Sequence, residues 1–207
     1  MSSYETNCAV VWNNLGAEEL LCQLAEELTE LSMAAMDVVD CAFEEKTFKV
    51  DHETKKRTMM MDAMLEEIAD VELVMEVMLA ANEKRMIDDV MSSDKRTPLD
   101  GINWFGMVNA VSKKSLPIAK TALKVRRAMT RKNPTPVTWA EAHHAMIEGL
   151  GHLLVMTNTV KGSAVLGNKK VSAFKEKKAE RWAKRLTEGV ENYGNLQQDP
   201  EELLGNG

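Results

Sequence analysis

The 207-residue chain carries a net charge of −6, with 44% hydrophobic, 28% charged and only 5% aromatic residues. That is enough chain for one substantial domain, and its wealth of Ala, Leu, Met, Glu and Lys favours helix over β-rich architectures. It argues against a membrane protein: the nearest apolar stretch, Gly149 to Met156, is far too short to span, and Met1 to Trp12 lacks the basic and apolar regions of a signal peptide. Cys8, Cys22 and Cys41 are odd in number and read as reduced thiols, so a cytoplasmic protein is expected.

Charge is spread unevenly. Residues 1–100 hold 23 acids against 9 bases, and from Gly101 to Ala140 there is no acid at all. An acidic metal site facing a basic phosphate site produces such asymmetry, as does a nucleic-acid surface or two halves that pack by charge.

Five main helices are predicted, in an all-α bundle. The first runs from about Ala17 to Phe43, with Leu20, Leu24, Leu28, Leu31 and Ala35 at helical spacing. Glu44 to Thr58 is charged and aperiodic and reads as loop or frayed helix ends. The second helix spans about Met59 to Asp89, with Leu65, Ile68, Val71, Met75 and Met78 on its buried side. After a connector from Ser92 to Gly101, a third covers about Trp104 to Met129, where Pro117 must kink it or start it afresh. Asn133 to Pro136 breaks the chain, and Thr138-x-x-Glu141 is a capping box opening the fourth, to about Val160. The last, about Val171 to Val190, is strongly basic. Residues 1–190 thus read as one domain: an acidic hairpin over 16–91, a degenerate repeat or insert over 101–160, a basic helix over 170–190, then a loose tail over 191–207.

The repeat is faint. Leu65 to Met75 slides onto Met146 to Met156 without a gap, placing Glu148 on Glu67 but Gly151 on Asp70. Glu26, Glu27 and Glu30 fall roughly on Lys113, Lys114 and Pro117. Two amphipathic hairpins also align this well by chance.

The acids carry the chemistry. Glu26-Glu27-x-x-Glu30 and Glu67-x-x-Asp70 each aim carboxylates along one helix face, a repulsive arrangement unless something positive offsets it. Packed antiparallel, the two helices would set Glu27 and Glu30 against Glu67 and Asp70. Hard oxygen ligands converging in this way suit one or two Mg²⁺ ions beside substrate phosphates, with Mn²⁺ as a substitute. Glu26 lies about 100° round the helix from Glu27 and suits a catalytic supporting role, positioning water. Glu66 and Glu72 are further candidates. Any one Glu alone is more often a solvated face residue; the set, embedded among Leu24, Leu28, Leu31, Ile68 and Val71, points to a site. A di-iron centre would need Glu-x-x-His on two helices, and His52 lies in the charged loop.

In its sequence context this pattern, Gln-Leu-Ala-Glu-Glu-Leu-Thr-Glu-Leu and then Glu-Glu-Ile-Ala-Asp-Val-Glu, resembles the MazG-type all-α nucleoside triphosphate pyrophosphohydrolases, a superfamily that includes dimeric dUTPase-like enzymes. The resemblance covers about Gly16 to Leu79 and resumes at Lys175 to Arg185. It implies Mg²⁺-dependent hydrolysis of an NTP or dNTP to monophosphate and pyrophosphate by a homodimer. It assigns Glu27, Glu30, Glu67 and Asp70 as metal ligands, with Glu26 supporting. Residues 82–168 depart from the minimal family pattern.

Lys175, Lys178, Arg181, Lys184 and Arg185 recur on one broad helical face and are candidates for the substrate phosphates, against a solvated basic helix. Trp182, Trp12 and Trp104 are candidate stacking platforms, though a core aromatic is commoner. The basic run Lys113 to Lys132 lacks interleaved aromatics and any nucleic-acid signature, so no nucleic-acid partner is expected. His144, Glu148 and His152 span about 12 Å of helix, too far for one compact metal site. The rival to the hydrolase is a non-catalytic helical nucleotide sensor or interaction module.

Overall fold

Two helix starts carry the same signature, a hydroxyl followed three residues on by a glutamate. At Thr138 the side-chain oxygen accepts the Glu141 N–H at 3.2 Å, while the Glu141 carboxylate accepts the Thr138 N–H at 2.9 Å. Ser2 and Glu5 make the same reciprocal pair at 3.2 and 2.8 Å, and open a helix absent from the expected five. The computed structural model describes residues 2–48, 53–79, 81–94, 104–131, 137–164 and 166–196. Within them lie α1 (Ser3–Asn14), α2 (Ala17–Phe48), α3 (Glu53–Met78), α4 (Ala81–Asp94), α5 (Trp104–Met129), α6 (Trp139–Ser163) and α7 (Gly167–Leu196). The chain is all-α as expected, with no strand among the described residues.

The departures have local causes. The expected second helix is two, because α3 ends at Met78 and α4 restarts at Ala81 to pack on α6. No Gly or Pro marks that break, so the apolar pattern reads straight across it. The segment expected as loop or frayed helix ends is helical where it is described, reaching Phe48 from one side and starting at Glu53 from the other; residues 49–52, including His52, lie outside the described residues. Pro117 neither starts nor ends a helix. Both it and Lys113, whose carbonyl it leaves without the usual N–H partner, are exposed, so water can serve that carbonyl while α5 continues. α7 begins before Val171 and runs past Val190 to Leu196, into the expected tail; residues 197–207 lie outside the described residues.

Two hairpins, α2–α3 and α5–α6, pack through α2 against α5. Ser32 Oγ crosses that seam to donate to the Ser112 carbonyl at 2.9 Å, so a buried hydroxyl is satisfied between the helices. Leu24, Leu28, Leu31, Leu65, Ile68 and Val71 fill the core as their spacing predicts, with Val111, Ile147 and Leu150 from the second hairpin. Two glycines bring α6 close to its neighbours: a Cβ on Gly149 would lie 2.8 Å from Ile118 of α5, and one on Gly151 would lie 2.7 Å from Val90 of α4. At the place aligned with Asp70, the second hairpin therefore has a close helix contact rather than a carboxylate.

A smaller cluster fixes α7. Leu20 of α2 and Leu73 and Val77 of α3 close on Ala179, which is fully buried, with Val11 of α1 beside them. Leu20 shares a helix face with Glu27, seven residues on, and Leu73 shares one with Asp70, three residues back. Docking Ala179 there brings its neighbour Lys178 to the acids.

Candidate metal centre and the cleft beside it

Glu27 lies between Leu24 and Leu31 on the core-facing stripe of α2, which leaves it only 4% exposed; Asp70 on α3 is 6% exposed. Charges are placed so deep only when something compensates them. Part of the compensation is Lys178, which donates to Glu27 Oε1 at 3.1 Å and also to Asp70 Oδ2. The shared lysine places Glu27 beside Asp70, and Glu30 falls beside Glu67, so α2 and α3 run antiparallel as the acid pairing requires.

The compensation is incomplete. Glu27 Oε2, Glu67 Oε2 and Asp70 Oδ1 are buried with no hydrogen-bond partner among the described residues. Glu27, Glu30 and Glu67 each present a carboxylate oxygen within 4.8 Å of the other two. Burial pushes the Glu27 carboxyl up to about 7, against the pull of Lys178 and with a further push from Asp70 and Glu30. Burial, then the charges of Asp70, Glu30 and Glu27, likewise raises Glu67 to about 7. Asp70 is also raised, burial outweighing its bond to Lys178. For Lys178 burial disfavours the ammonium, but Asp70 and Glu27 outweigh it and hold the pKa above that of an ordinary lysine. Convergent, desolvated, partly unpartnered oxygen donors are a donor set that fits a hard divalent cation such as Mg²⁺.

Beside the acids opens a cleft of about 420 Å³. Glu26, Glu27, Glu30, Glu66 and Asp70 line one wall, and Lys178, Arg181, Trp182 and Arg185 of α7 line the other. Gln23 sits at its edge, with its amide 3.4 Å from the Glu26 carboxylate; sequence reasoning missed it, and its place one turn before Glu26 and Glu27 was the available signal. Glu26 is exposed, as its rotation away from Glu27 requires.

The basic helix divides by register. Arg181 and Arg185, four residues apart, face the cleft, while Lys184 is exposed outside its lining and lies 3.6 Å from Glu188, one turn on. Lys175 turns to the far side of α3, where it meets Glu76 at 2.6 Å and Glu72 at 3.4 Å. Glu72 therefore belongs to a different cluster from Glu67 and Asp70. Trp182 both lines the cleft and packs against the core clusters. Trp12 is half exposed on α1 and Trp104 packs edge-on to Phe105; neither lines the cleft. Glu148 and His152 stand 3.9 Å apart on the α6 surface, and among the described residues no third His, Cys, Asp or Glu joins them in a group that could hold a metal.

No helix among the described residues is long and apolar enough to cross a membrane. Comparison with protein-family models, with curated proteins and with solved structures finds no match to this chain.

Proposed function

We propose that this protein is a Mg²⁺-dependent nucleoside triphosphate pyrophosphohydrolase of the MazG-like type, converting an NTP or dNTP to its monophosphate and pyrophosphate. The observation that carries the reading is the set of unpartnered, buried carboxylate oxygens converging across the α2–α3 seam, with two arginines facing them over a cleft. Glu27, Glu30 and Glu67 would hold the ion, with Asp70 beside them. A divalent cation bound there would neutralise phosphate charge and make water a better nucleophile.

The chain's own groups supply the rest. Arg181 and Arg185 present planar forks suited to phosphate oxygens, and so take the triphosphate chain on the wall opposite the acids. Trp182 offers a partly exposed ring to the base. Glu26, exposed at the rim, is placed to orient a water and take its proton. Water's oxygen bonds to the α-phosphorus as the bond from that phosphorus to the bridging oxygen breaks. The electron pair leaves with pyrophosphate. No covalent intermediate is required.

The test is product analysis across a panel of NTPs and dNTPs with Mg²⁺, with Mn²⁺ and with EDTA. Metal-dependent release of pyrophosphate with monophosphate as co-product supports the hydrolase. Nucleotide binding without turnover under every condition would replace it with the non-catalytic sensor.

A further inference from the structure

Glu27 faces two positions for positive charge at once. Lys178 donates to its Oε1 at 3.1 Å and reaches on to Asp70. A Glu27 oxygen also groups with Glu30 and Glu67 inside 4.8 Å, and no cationic side chain among the described residues pairs with Glu30 or Glu67. Glu27 is 4% and Asp70 6% exposed, and each keeps one oxygen without a partner, so the acids still call for a charge that Lys178 does not supply.

The lysine is not a loose surface residue that happens to reach the acids. Its neighbour Ala179 is fully buried between Leu20 and Leu73, which fixes the backbone of α7 beside the seam. Moving the ammonium aside would strand it and leave Glu27 and Asp70 each short of a bond they already make, and uncompensated buried charge is costly. A divalent ion competing for that position meets a tethered rival whose local concentration does not fall on dilution.

Resting on the metal-centre reading above, we infer that Lys178 occupies the place of a second cation, so that the centre holds one divalent ion, ringed by Glu27, Glu30 and Glu67. Lys178 is then a positioning residue for the acids rather than a phosphate ligand. The triphosphate charge that a second ion would otherwise meet falls to Arg181 and Arg185, which line the cleft alongside it.

The experiment is a Mn²⁺ titration of the nucleotide-free protein, followed by electron paramagnetic resonance. Wild type is expected to bind one Mn²⁺ per chain with an isolated-ion spectrum. Lys178→Gln is expected to bind two and to show the exchange-coupled signal of a close pair, and Lys178→Arg to stay at one. Two ions, or none, in wild type would overturn the inference, as would a folded Lys178→Gln that still takes one. Should Lys178→Gln not fold, wild type decides the matter by ¹⁵N-lysine NMR. The Lys178 ammonium resonance, held by Glu27 and Asp70, must persist at Mg²⁺ saturation, and its merging with solvent-exposed lysines would refute the assignment. Metal is counted without nucleotide. A failure to release pyrophosphate would therefore remove the hydrolase and leave this stoichiometry to be judged on its own.

Discussion

α3 carries acids on two faces, and they have opposite fates. Glu72 lies about 200° round the helix from Asp70. There it accepts from the buried Lys161 and stands 3.4 Å from Lys175, while Glu76 takes Lys175 at 2.6 Å and the Tyr4 hydroxyl at 2.5 Å. That face borders a hollow of about 610 Å³, larger than the cleft beside Glu27 and Asp70. Yet none of its carboxylate oxygens is among the buried unpartnered ones, and those of Glu27, Glu67 and Asp70 are. A buried acid whose charge is already met holds helices together; one left with spare lone pairs is built to receive something. Neither the number of acids nor the size of the hollow distinguishes the two faces.

Substitution should separate them sharply. Glu67→Gln is expected to lower pyrophosphate release by on the order of 10²-fold or more with the helical circular-dichroism signal intact, because it would remove a ligand of the proposed centre rather than a packing contact. Glu76→Gln, across the helix, should leave turnover per folded molecule nearly unchanged. Comparable losses in both would erase the distinction. The reverse pattern belongs to stability: Lys161→Met strands Glu72 with a more distant partner and should cost about 3 kcal/mol in chemical denaturation while sparing turnover.

Acidity sharpens the contrast further. Glu27 and Glu67 have folded pKa values near 7, above the ordinary 4.5, so the folded state favours their protonated forms. Metal-free stability contributed by those protons is full at low pH and is lost as pH climbs from about 4.5 to about 7. The melting temperature in EDTA should therefore fall between pH 5 and pH 8, and Glu27→Gln should flatten the fall; a rise over that range would contradict the desolvation of these acids. Smaller effects divide the basic helix. Arg181→Ala should raise KM for triphosphate about tenfold, the scale of one charge-assisted contact. Lys184→Ala removes one exposed pair with Glu188 and should change neither KM nor stability by more than about 0.5 kcal/mol.

Much of this was legible because helices translate spacing into direction. The stripe of Leu20, Leu24, Leu28 and Leu31 and the acids riding beside it follow from a period of 3.6, and so do their faces. Boundaries were harder. α1 is announced only by Ser2 and Glu5, without a clear apolar stripe, and the α3–α4 break has no Gly or Pro to mark it. What no local pattern reveals is register between distant helices. Lys178 looks in sequence like Lys175 or Lys184, and only the seating of Ala179 between Leu20 and Leu73 turns these three lysines to three different surroundings. The same holds for Gly151: a Cβ there would lie 2.7 Å from Val90, so the position aligned with Asp70 has no room for an acid.

The most direct measurement is pyrophosphate release from the preferred nucleotide by wild type, Asp70→Asn and Glu72→Gln side by side, each with Mg²⁺ and with EDTA. Mg²⁺-dependent release is expected from wild type and Glu72→Gln, and none from Asp70→Asn. Release that survives EDTA, or survives in Asp70→Asn, would contradict the metal-centre reading.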